Sequence, residues 1–100
     1  MQLDDKFLDQ IYSVVAEIPH GKVSTYGDIA KFSGCDNNSR LVAKAISGAY
    51  GINIPCHRVV NSDGRLAPGW DEQRDLLINE GIEFKVNNNV DLKKYRWEGE

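Results

Sequence analysis

The fold is decided by residues 25–47, which read TYGDIAKFSGCDNNSRLVAKAIS. Thr25 stands three residues before Asp28, in the spacing of a capping box, and this predicts a helix that starts near Tyr26. A turn rich in N-cap residues then leads into a helix predicted from about Ser39 to Ser47. Two short helices joined by a turn that contains glycine are the signature of a helix-turn-helix.

Helical spacing recurs on both sides of this motif. Apolar residues at three- and four-residue intervals predict a first helix over about residues 4–18. A further helix is predicted from about Asp71 to Asn79, with Gly81 placed to cap its carboxyl end. Three apolar side chains in the tail are expected to fold back onto the core: Leu92, Tyr95 and Trp97.

The segment between the third and fourth predicted helices has no helical spacing. Residues 48–54 form a connection punctuated by glycine, and Pro55–Val60 is expected to be extended. Asn61–Gly64 has the composition of a tight turn, so Val59–Val60 is predicted to pair with Arg65–Leu66 as a hairpin. The predicted fold class is mostly α with a small β hairpin, as in winged-helix-like helix-turn-helix domains.

The length indicates a single domain, and the composition is ordinary for a globular protein. The 100 residues are 41% hydrophobic and 27% charged, and we expect a single domain over residues 1–100, with no separate N-terminal domain, that acts as a monomer. Two cysteines make no disulfide framework, and no signal sequence or membrane segment is visible, so a cytoplasmic protein is expected. The two scattered histidines do not have zinc-ligand spacing, so neither a metal nor a cofactor is expected.

The charge is unevenly distributed. A formal net charge of −3 argues weakly against nucleic-acid binding through bulk charge. The stretch from Lys31 to Arg65 is nevertheless basic, whereas both ends of the chain are acidic. Any polyanion is therefore expected to bind the middle third.

A nucleophile is suggested by the run Pro55-Cys56-His57-Arg58-Val59. A thiol becomes a strong nucleophile as its thiolate, and a neighbouring histidine or arginine favours that form. The pattern is typical of covalent chemistry on sulfur. The alternative is a buried structural cysteine that happens to precede a histidine.

Together these motifs resemble the C-terminal domain of the O6-alkylguanine-DNA alkyltransferases. The resemblance is carried, in one collinear order, by Gly21–Ala30, Ser39–Ala45, Ile54–Gly64 and Leu76–Gly81. It implies a DNA-binding domain that transfers an alkyl group from a damaged guanine to its own cysteine, once and irreversibly.

The resemblance also implies catalytic roles for three residues. Cys56 would be the alkyl acceptor, and His57 would draw off its proton through a water, since neighbours in an extended segment point to opposite sides. Glu80 would orient and charge-balance the imidazole, as in a triad. Arg58 and Pro55 would mainly hold the motif together.

The implied partner is double-stranded DNA that contains alkylated guanine, bound in the minor groove with the damaged base flipped out. By resemblance, Arg40 would enter the gap in the base stack and Tyr26 would push on the phosphate and base. Small residues such as Ala43 would suit the minor groove. Phosphate contacts are expected from Ser24, Thr25, Tyr26 and the backbone at helix starts, with Lys44 as a solvated phosphate contact. Structural alternatives are an ordinary exposed helix arginine for Arg40 and a core tyrosine for Tyr26.

The chain departs from the alkyltransferase pattern in two places near the cysteine. The family's glycine- and tyrosine-rich pocket loop is replaced by the shorter stretch 66–70, and its asparagine about eight residues before the cysteine has no match around residues 47–49. These features and the tail look more like the alkyltransferase-like proteins, which carry a tryptophan or another non-nucleophile at the cysteine position. Such proteins flip the lesion without repairing it and flag it for nucleotide excision repair proteins.

Three hypotheses therefore stand. The first is a stoichiometric DNA alkyltransferase that acts through Cys56, which this chain retains. The second is a non-enzymatic damage sensor that recruits nucleotide excision repair. The third is a plain winged-helix-like DNA-binding or regulatory module with sequence preference and no lesion preference.

Overall fold

A computed structural model describes residues 5–34, 38–47 and 54–99 of the chain. Its helices and strands are, in chain order, α1 Asp5–Glu17, β1 Ser24–Thr25, α2 Tyr26–Phe32, α3 Ser39–Ser47, β2 Val59–Val60, α4 Glu72–Asn79 and α5 Leu92–Tyr95. A short 3₁₀ helix, Cys56–Arg58, directly precedes β2, and we call it the cysteine turn. The mostly helical class and the four predicted helices are confirmed, with α3 at the predicted bounds.

Local sequence explains where the helices of the helix-turn-helix begin and end. The Thr25 hydroxyl accepts the backbone N–H of Asp28 at 3.0 Å, as the capping-box spacing predicts. Gly34 follows α2 with a φ of +82°, a conformation that suits glycine after a helix end. α2 and α3 pack against each other. The turn predicted between them falls mostly on residues 35–37, and the glycine-punctuated connection mostly on 48–53, and both stretches lie outside the described residues.

The strands pair differently from the prediction. β1 and β2 are parallel, with Ser24 opposite Val59 and Thr25 opposite Val60. The tight turn at Asn61–Gly64 does form, since the Gly64 N–H donates to the Asn61 carbonyl at 2.8 Å. The predicted hairpin is nevertheless wrong: β2 pairs with β1, and the successive side chains of β2 enter two different clusters.

Two hydrophobic clusters meet at this parallel pair. Val59 belongs to the main cluster and Val60 to a second one. The main cluster joins α1, α2 and α3 to the cysteine turn through Ile11, Val15, Ile18, Ile29, Ala30, Val42, Ala45, Ile46, Cys56, Val59 and Trp97. The second lies below α4 and comprises Val23, Val60, Leu77, Ile82 and Val90. The cysteine turn therefore sits at the junction of the helix-turn-helix and the α4 region.

The tail folds back onto the core, as predicted. The Val23 N–H donates to the Tyr95 carbonyl at 2.9 Å, and the Trp97 N–H donates to the Val23 carbonyl at 2.7 Å. The Trp97 side chain is buried in the main cluster. Arg96 adds a two-pronged ion pair with Asp28 of α2, at 2.6 and 2.7 Å. The carboxyl end of the described chain thus packs against the helix-turn-helix and is bonded to α2.

One glycine is required by a close approach. A Cβ at Gly64 would lie 2.2 Å from the Val90 carbonyl oxygen, and the φ of Gly64 is +87°. The Val90 N–H donates to the Gly64 carbonyl at 2.9 Å. The turn after β2 is thereby fastened to the second cluster. Among the helices of the described ranges, none has the length and apolar character needed to cross a membrane.

Candidate functional site

The cysteine turn presents Cys56 to the interior. The run was predicted to be extended, and this is wrong for Cys56–Arg58, which form a 3₁₀ helix. The Arg58 N–H donates to the Pro55 carbonyl at 3.0 Å, which is the i to i+3 bond of such a helix. Cys56 is 3% exposed and packs in the main cluster. The Cys56 and His57 side chains are therefore not separated by an extended backbone.

Burial governs the protonation of this thiol. Desolvation raises the pKa of Cys56 above its ordinary value, and a backbone hydrogen bond only partly opposes this. The resting side chain is therefore a thiol and not a thiolate at neutral pH. Nucleophilic attack by this sulfur requires a group that accepts its proton during the reaction.

Glu80 is the charged centre of the site. Its carboxylate accepts the Gly21 N–H at 2.9 Å and the Arg58 Nε at 3.0 Å, and it lies 2.5 Å from His57 Nε2. The Glu80 side chain is only 8% exposed. Burial by itself would raise the pKa of Glu80, but the hydrogen bonds from Arg58, Gly21 and His57 outweigh it and lower the pKa to about 2. Glu80 is therefore an anion at any physiological pH.

This contact orients His57. Since Nε2 faces the Glu80 carboxylate, Nδ1 is the ring nitrogen left to exchange a proton elsewhere. An adjacent carboxylate also stabilises an imidazolium once the ring is protonated. The structure thus brings together the predicted pair His57 and Glu80, next to Cys56 in the same turn.

Arg58 ties the site to the residue that follows α1. Its Nε bonds Glu80, and its Nη1 donates to the Ile18 carbonyl at 2.7 Å. The side chain is 16% exposed. Pro55 occupies the N-cap position of the cysteine turn. These placements agree with the structural roles that the resemblance implies for Arg58 and Pro55, which stay predictions.

A second part of the site is an open cavity of about 260 Å³ between α2, α3 and the turn after β2. It brings together three of the predicted DNA-binding residues, Tyr26, Arg40 and Ala43. Arg40 is exposed at the start of α3. Lys44 is also exposed but does not line the cavity. We call this space the α3 cavity.

Two residues that were predicted to contact DNA phosphates have buried side chains. Ser24 is completely buried, and its hydroxyl has no hydrogen-bond partner within the described ranges. Thr25 is 5% exposed and uses its hydroxyl to cap α2. Both predictions need correction, because side chains buried in β1 do not present their hydroxyls to a DNA backbone. Their contribution is to place the first turn of α2.

The sequence reasoning missed three polar residues that belong to the site. Asn61 and Ser62 line the α3 cavity beside Arg40, and their position directly after a β-branched strand was the available signal. Gln73 is fully buried and bonds the backbone of the cysteine turn. Its only sequence signal was its spacing from Leu77 and Glu80 along one face of α4.

Among the residues that the structure describes, no group of three or more histidine, cysteine or carboxylate side chains is placed to hold a metal ion. The described site presents a thiol, an imidazole and a carboxylate, beside a cavity with an exposed arginine.

These features define a class: a helix-turn-helix protein with a cysteine-centred site at its base. Residues 6–82 match the family described as 6-O-methylguanine DNA methyltransferase, DNA binding domain. The chain belongs to this family, as the sequence resemblance predicted.

Relatives agree with this assignment. A DNA base-flipping protein of Vibrio parahaemolyticus is 42% identical over 98 residues, which cover 94% of this chain and 98% of that protein. The structure of S. pombe Atl1 in complex with damaged DNA containing O6-carboxymethylguanine is 36% identical, with a TM-score of 0.85, and the match covers 97% of this chain and 98% of that chain. The structure of Mycobacterium tuberculosis OGT in complex with DNA has a TM-score of 0.67 at 30% identity, and the match covers 79% of this chain and 51% of that chain.

Proposed function

We propose that this protein binds double-stranded DNA in the minor groove, flips out an O6-alkylguanine and transfers the alkyl group once to Cys56. The observation that carries the proposal is the cysteine turn, which places a thiol next to an imidazole held 2.5 Å from the Glu80 carboxylate. The family match and the relatives described as base-flipping or bound to damaged DNA support it.

DNA binding is assigned to the α3 cavity. Arg40 is exposed at the start of α3 and would fill the space that the flipped base leaves in the stack. Tyr26 and the polar side chains Asn61 and Ser62 line the same cavity and would contact the base or its phosphates. Ala43 keeps this face of α3 low enough for close approach to a minor groove. Lys44, which is exposed on the same helix, would add a phosphate contact outside the cavity.

The transfer balances with the residues present. The Cys56 sulfur forms a bond to the alkyl carbon, and the bond between that carbon and the guanine oxygen breaks. The thiol proton passes through His57 to the guanine, so the products are S-alkylcysteine and unmodified guanine. Glu80 stabilises His57 while it carries the proton. The balance requires no cofactor, and each protein molecule reacts once.

The supporting experiment is an intact-protein mass measurement after incubation with a duplex that contains one O6-methylguanine. The wild-type chain should gain the mass of one methylene group, and Cys56→Ala should gain nothing while still binding the lesion duplex. Cys35→Ala, which removes the other thiol of the sequence, is the matched control and should be methylated normally.

Other outcomes assign a different function. An unchanged mass with selective binding of the lesion duplex would make the protein a damage sensor that recruits nucleotide excision repair. Equal binding of damaged and undamaged duplexes would leave a plain helix-turn-helix module. In all three cases we place the protein in the cytoplasm, acting on DNA as a monomer.

A further inference from the structure

Gln73 is a buried polar residue that the mechanism above does not use. Its side chain is 0% exposed, although it lies on α4 among charged and exposed neighbours. A buried amide is costly unless its donors and its acceptor are all satisfied. The surroundings of Gln73 meet that demand through a specific set of partners.

Gln73 bonds the backbone on both sides of Arg58 and the backbone of the 66–70 stretch. The Nε2 group donates to the His57 carbonyl at 3.0 Å and to the Val59 carbonyl at 2.9 Å. The Oε1 atom accepts the Ala67 N–H at 2.8 Å. A single side chain therefore joins the cysteine turn, the start of β2 and the 66–70 stretch.

The 66–70 stretch reaches the same region by a second contact. Trp70, at its end, packs against the main cluster that contains Cys56. The Gln73 N–H donates to the Trp70 carbonyl at 3.3 Å. The backbone and side chain of Gln73 thus fix both ends of this stretch relative to the cysteine turn.

Two side chains, at the start and at the end of α4, therefore bond the cysteine turn. Gln73 and Glu80 are seven residues apart, which is about two helical turns, so they project from one face. Glu80 bonds the side chains of His57 and Arg58, whereas Gln73 bonds the backbone around them. Side-chain bonds alone would orient the imidazole but would leave the turn free to shift as a unit.

We propose that Gln73 is a positioning residue for alkyl transfer. It fixes the cysteine turn against α4 and holds the 66–70 stretch in place. The position of the Cys56 thiol relative to this stretch therefore stays constant. This inference rests on the proposed function, because the geometry matters most when a substrate carbon must meet the Cys56 sulfur.

The test compares Gln73→Met, which keeps the size of the side chain and removes its hydrogen bonds, with wild type in a Cys35→Ser background. Misplacement of reacting groups by fractions of an ångström slows a reaction strongly, so the single-turnover transfer rate should fall by about tenfold or more. The Kd for the lesion duplex should stay within about twofold, since Gln73 does not line the α3 cavity. The reaction of Cys56 with a small aromatic disulfide should become faster, because the turn is loosened.

A second variant separates the two kinds of bond. Gln73→Glu retains the acceptor for Ala67 but loses both donors when ionised. Its transfer rate, relative to wild type at each pH, should be lowest at neutral pH. It should recover as the pH falls, because a protonated carboxyl can again donate to one carbonyl.

Two control variants exclude a general loss of stability. Leu77→Val weakens the second cluster from the same helix, and this cluster includes no residue of the cysteine turn. Gln10→Met changes an exposed glutamine of α1. Both should keep the wild-type transfer rate and thiol reactivity. Wild-type values for Gln73→Met in both assays, or the same changes in Leu77→Val at equal loss of stability, would overturn the proposal.

The two proposals fail in distinguishable ways. If the wild-type chain gains no mass from the lesion duplex, the transfer function fails. The thiol-reactivity arm then still decides whether Gln73 positions Cys56. If wild type transfers the methyl group and Gln73→Met transfers it equally fast, only the positioning inference fails.

Discussion

The cysteine turn and the α3 cavity differ in how firmly their arginines are held. Arg58 is 16% exposed and is bonded to the Glu80 carboxylate and the Ile18 carbonyl. Arg40 stands exposed at the first turn of α3, on the rim of an open cavity. The two side chains are chemically identical, and their surroundings give them opposite tasks.

The difference follows from what each region must do. A buried cation is tolerated only when it is paired and hydrogen-bonded, and such a pair fixes the groups around it. Fixed geometry is what a thiol and a proton acceptor need before a substrate arrives. An exposed arginine keeps its charge available for phosphates and its side chain available for the gap in a base stack. The paired Arg58 thus fixes the cysteine turn, whereas the exposed Arg40 stays available for the DNA contacts proposed above.

The largest expected effect is on the stability of the cysteine turn, and it comes from substitution of Glu80. Glu80→Ala leaves the largely buried Arg58 without its carboxylate and frees His57, so we expect a loss of about 3 to 5 kcal/mol in the free energy of unfolding. Urea denaturation followed by circular dichroism measures it. A loss below about 1 kcal/mol, the value typical of exposed ion pairs, would show that the cysteine turn does not depend on Glu80.

Acid should act on the same residue. The pKa of Glu80 is lowered from 4.5 to about 2 in the folded state, so its stabilising contribution is complete above about pH 4.5 and is lost as the pH falls toward about 2. A pKa difference of this size corresponds to about 3 kcal/mol. Unfolding free energies between pH 6 and pH 2.5, compared with those of Glu80→Gln, should converge as the pH falls. Parallel curves for the two proteins would contradict the assignment.

In the α3 cavity the expected effect is on binding and not on stability. Arg40→Ala should weaken binding to an O6-methylguanine duplex about tenfold, while the free energy of unfolding changes by less than about 0.5 kcal/mol. Fluorescence anisotropy and thermal melts measure the two quantities. Lys31→Ala, an exposed lysine of α2 on a different cavity, is the control and should bind as wild type does. An equal loss of affinity in both variants would show that Arg40 has no specific role in binding the lesion duplex.

The smallest effect is expected at Lys44. Lys44→Ala should weaken damaged and undamaged duplexes alike by a few-fold, and the slope of log K against log salt should decrease in magnitude by about 1. Titrations at several salt concentrations check this. A loss confined to the lesion duplex would place Lys44 in base recognition, together with Arg40.

Regular helices were predictable because their signals are local. The capping pair Thr25 and Asp28 gave the start of α2, and the apolar spacing of α3 gave its bounds. The cysteine turn was predicted wrongly, because distant groups, notably Gln73 and Glu80, bond its residues. The β1–β2 pairing was missed because a hairpin is the local alternative, whereas the parallel pair joins residues 35 positions apart.

The site followed the same division. A motif resemblance was enough to single out Cys56, His57 and Glu80, which the structure brings together. Ser24 and Thr25 were misjudged, because polar residues before a helix are usually exposed and the sequence gives no sign that β1 is buried. Gln73 was overlooked since a glutamine on a helix is usually solvated, and only its packing shows otherwise.

We propose that Cys56 accepts one alkyl group from guanine and cannot react a second time. The direct measurement is a titration of protein against a duplex carrying a single O6-methylguanine, with the restored guanine quantified after nuclease digestion. If Cys56 is a single-use acceptor, restored guanine should rise by one equivalent per added chain until the lesion is exhausted, and the methyl group should be found on Cys56. No restored guanine, or turnover beyond one equivalent, would contradict the proposal.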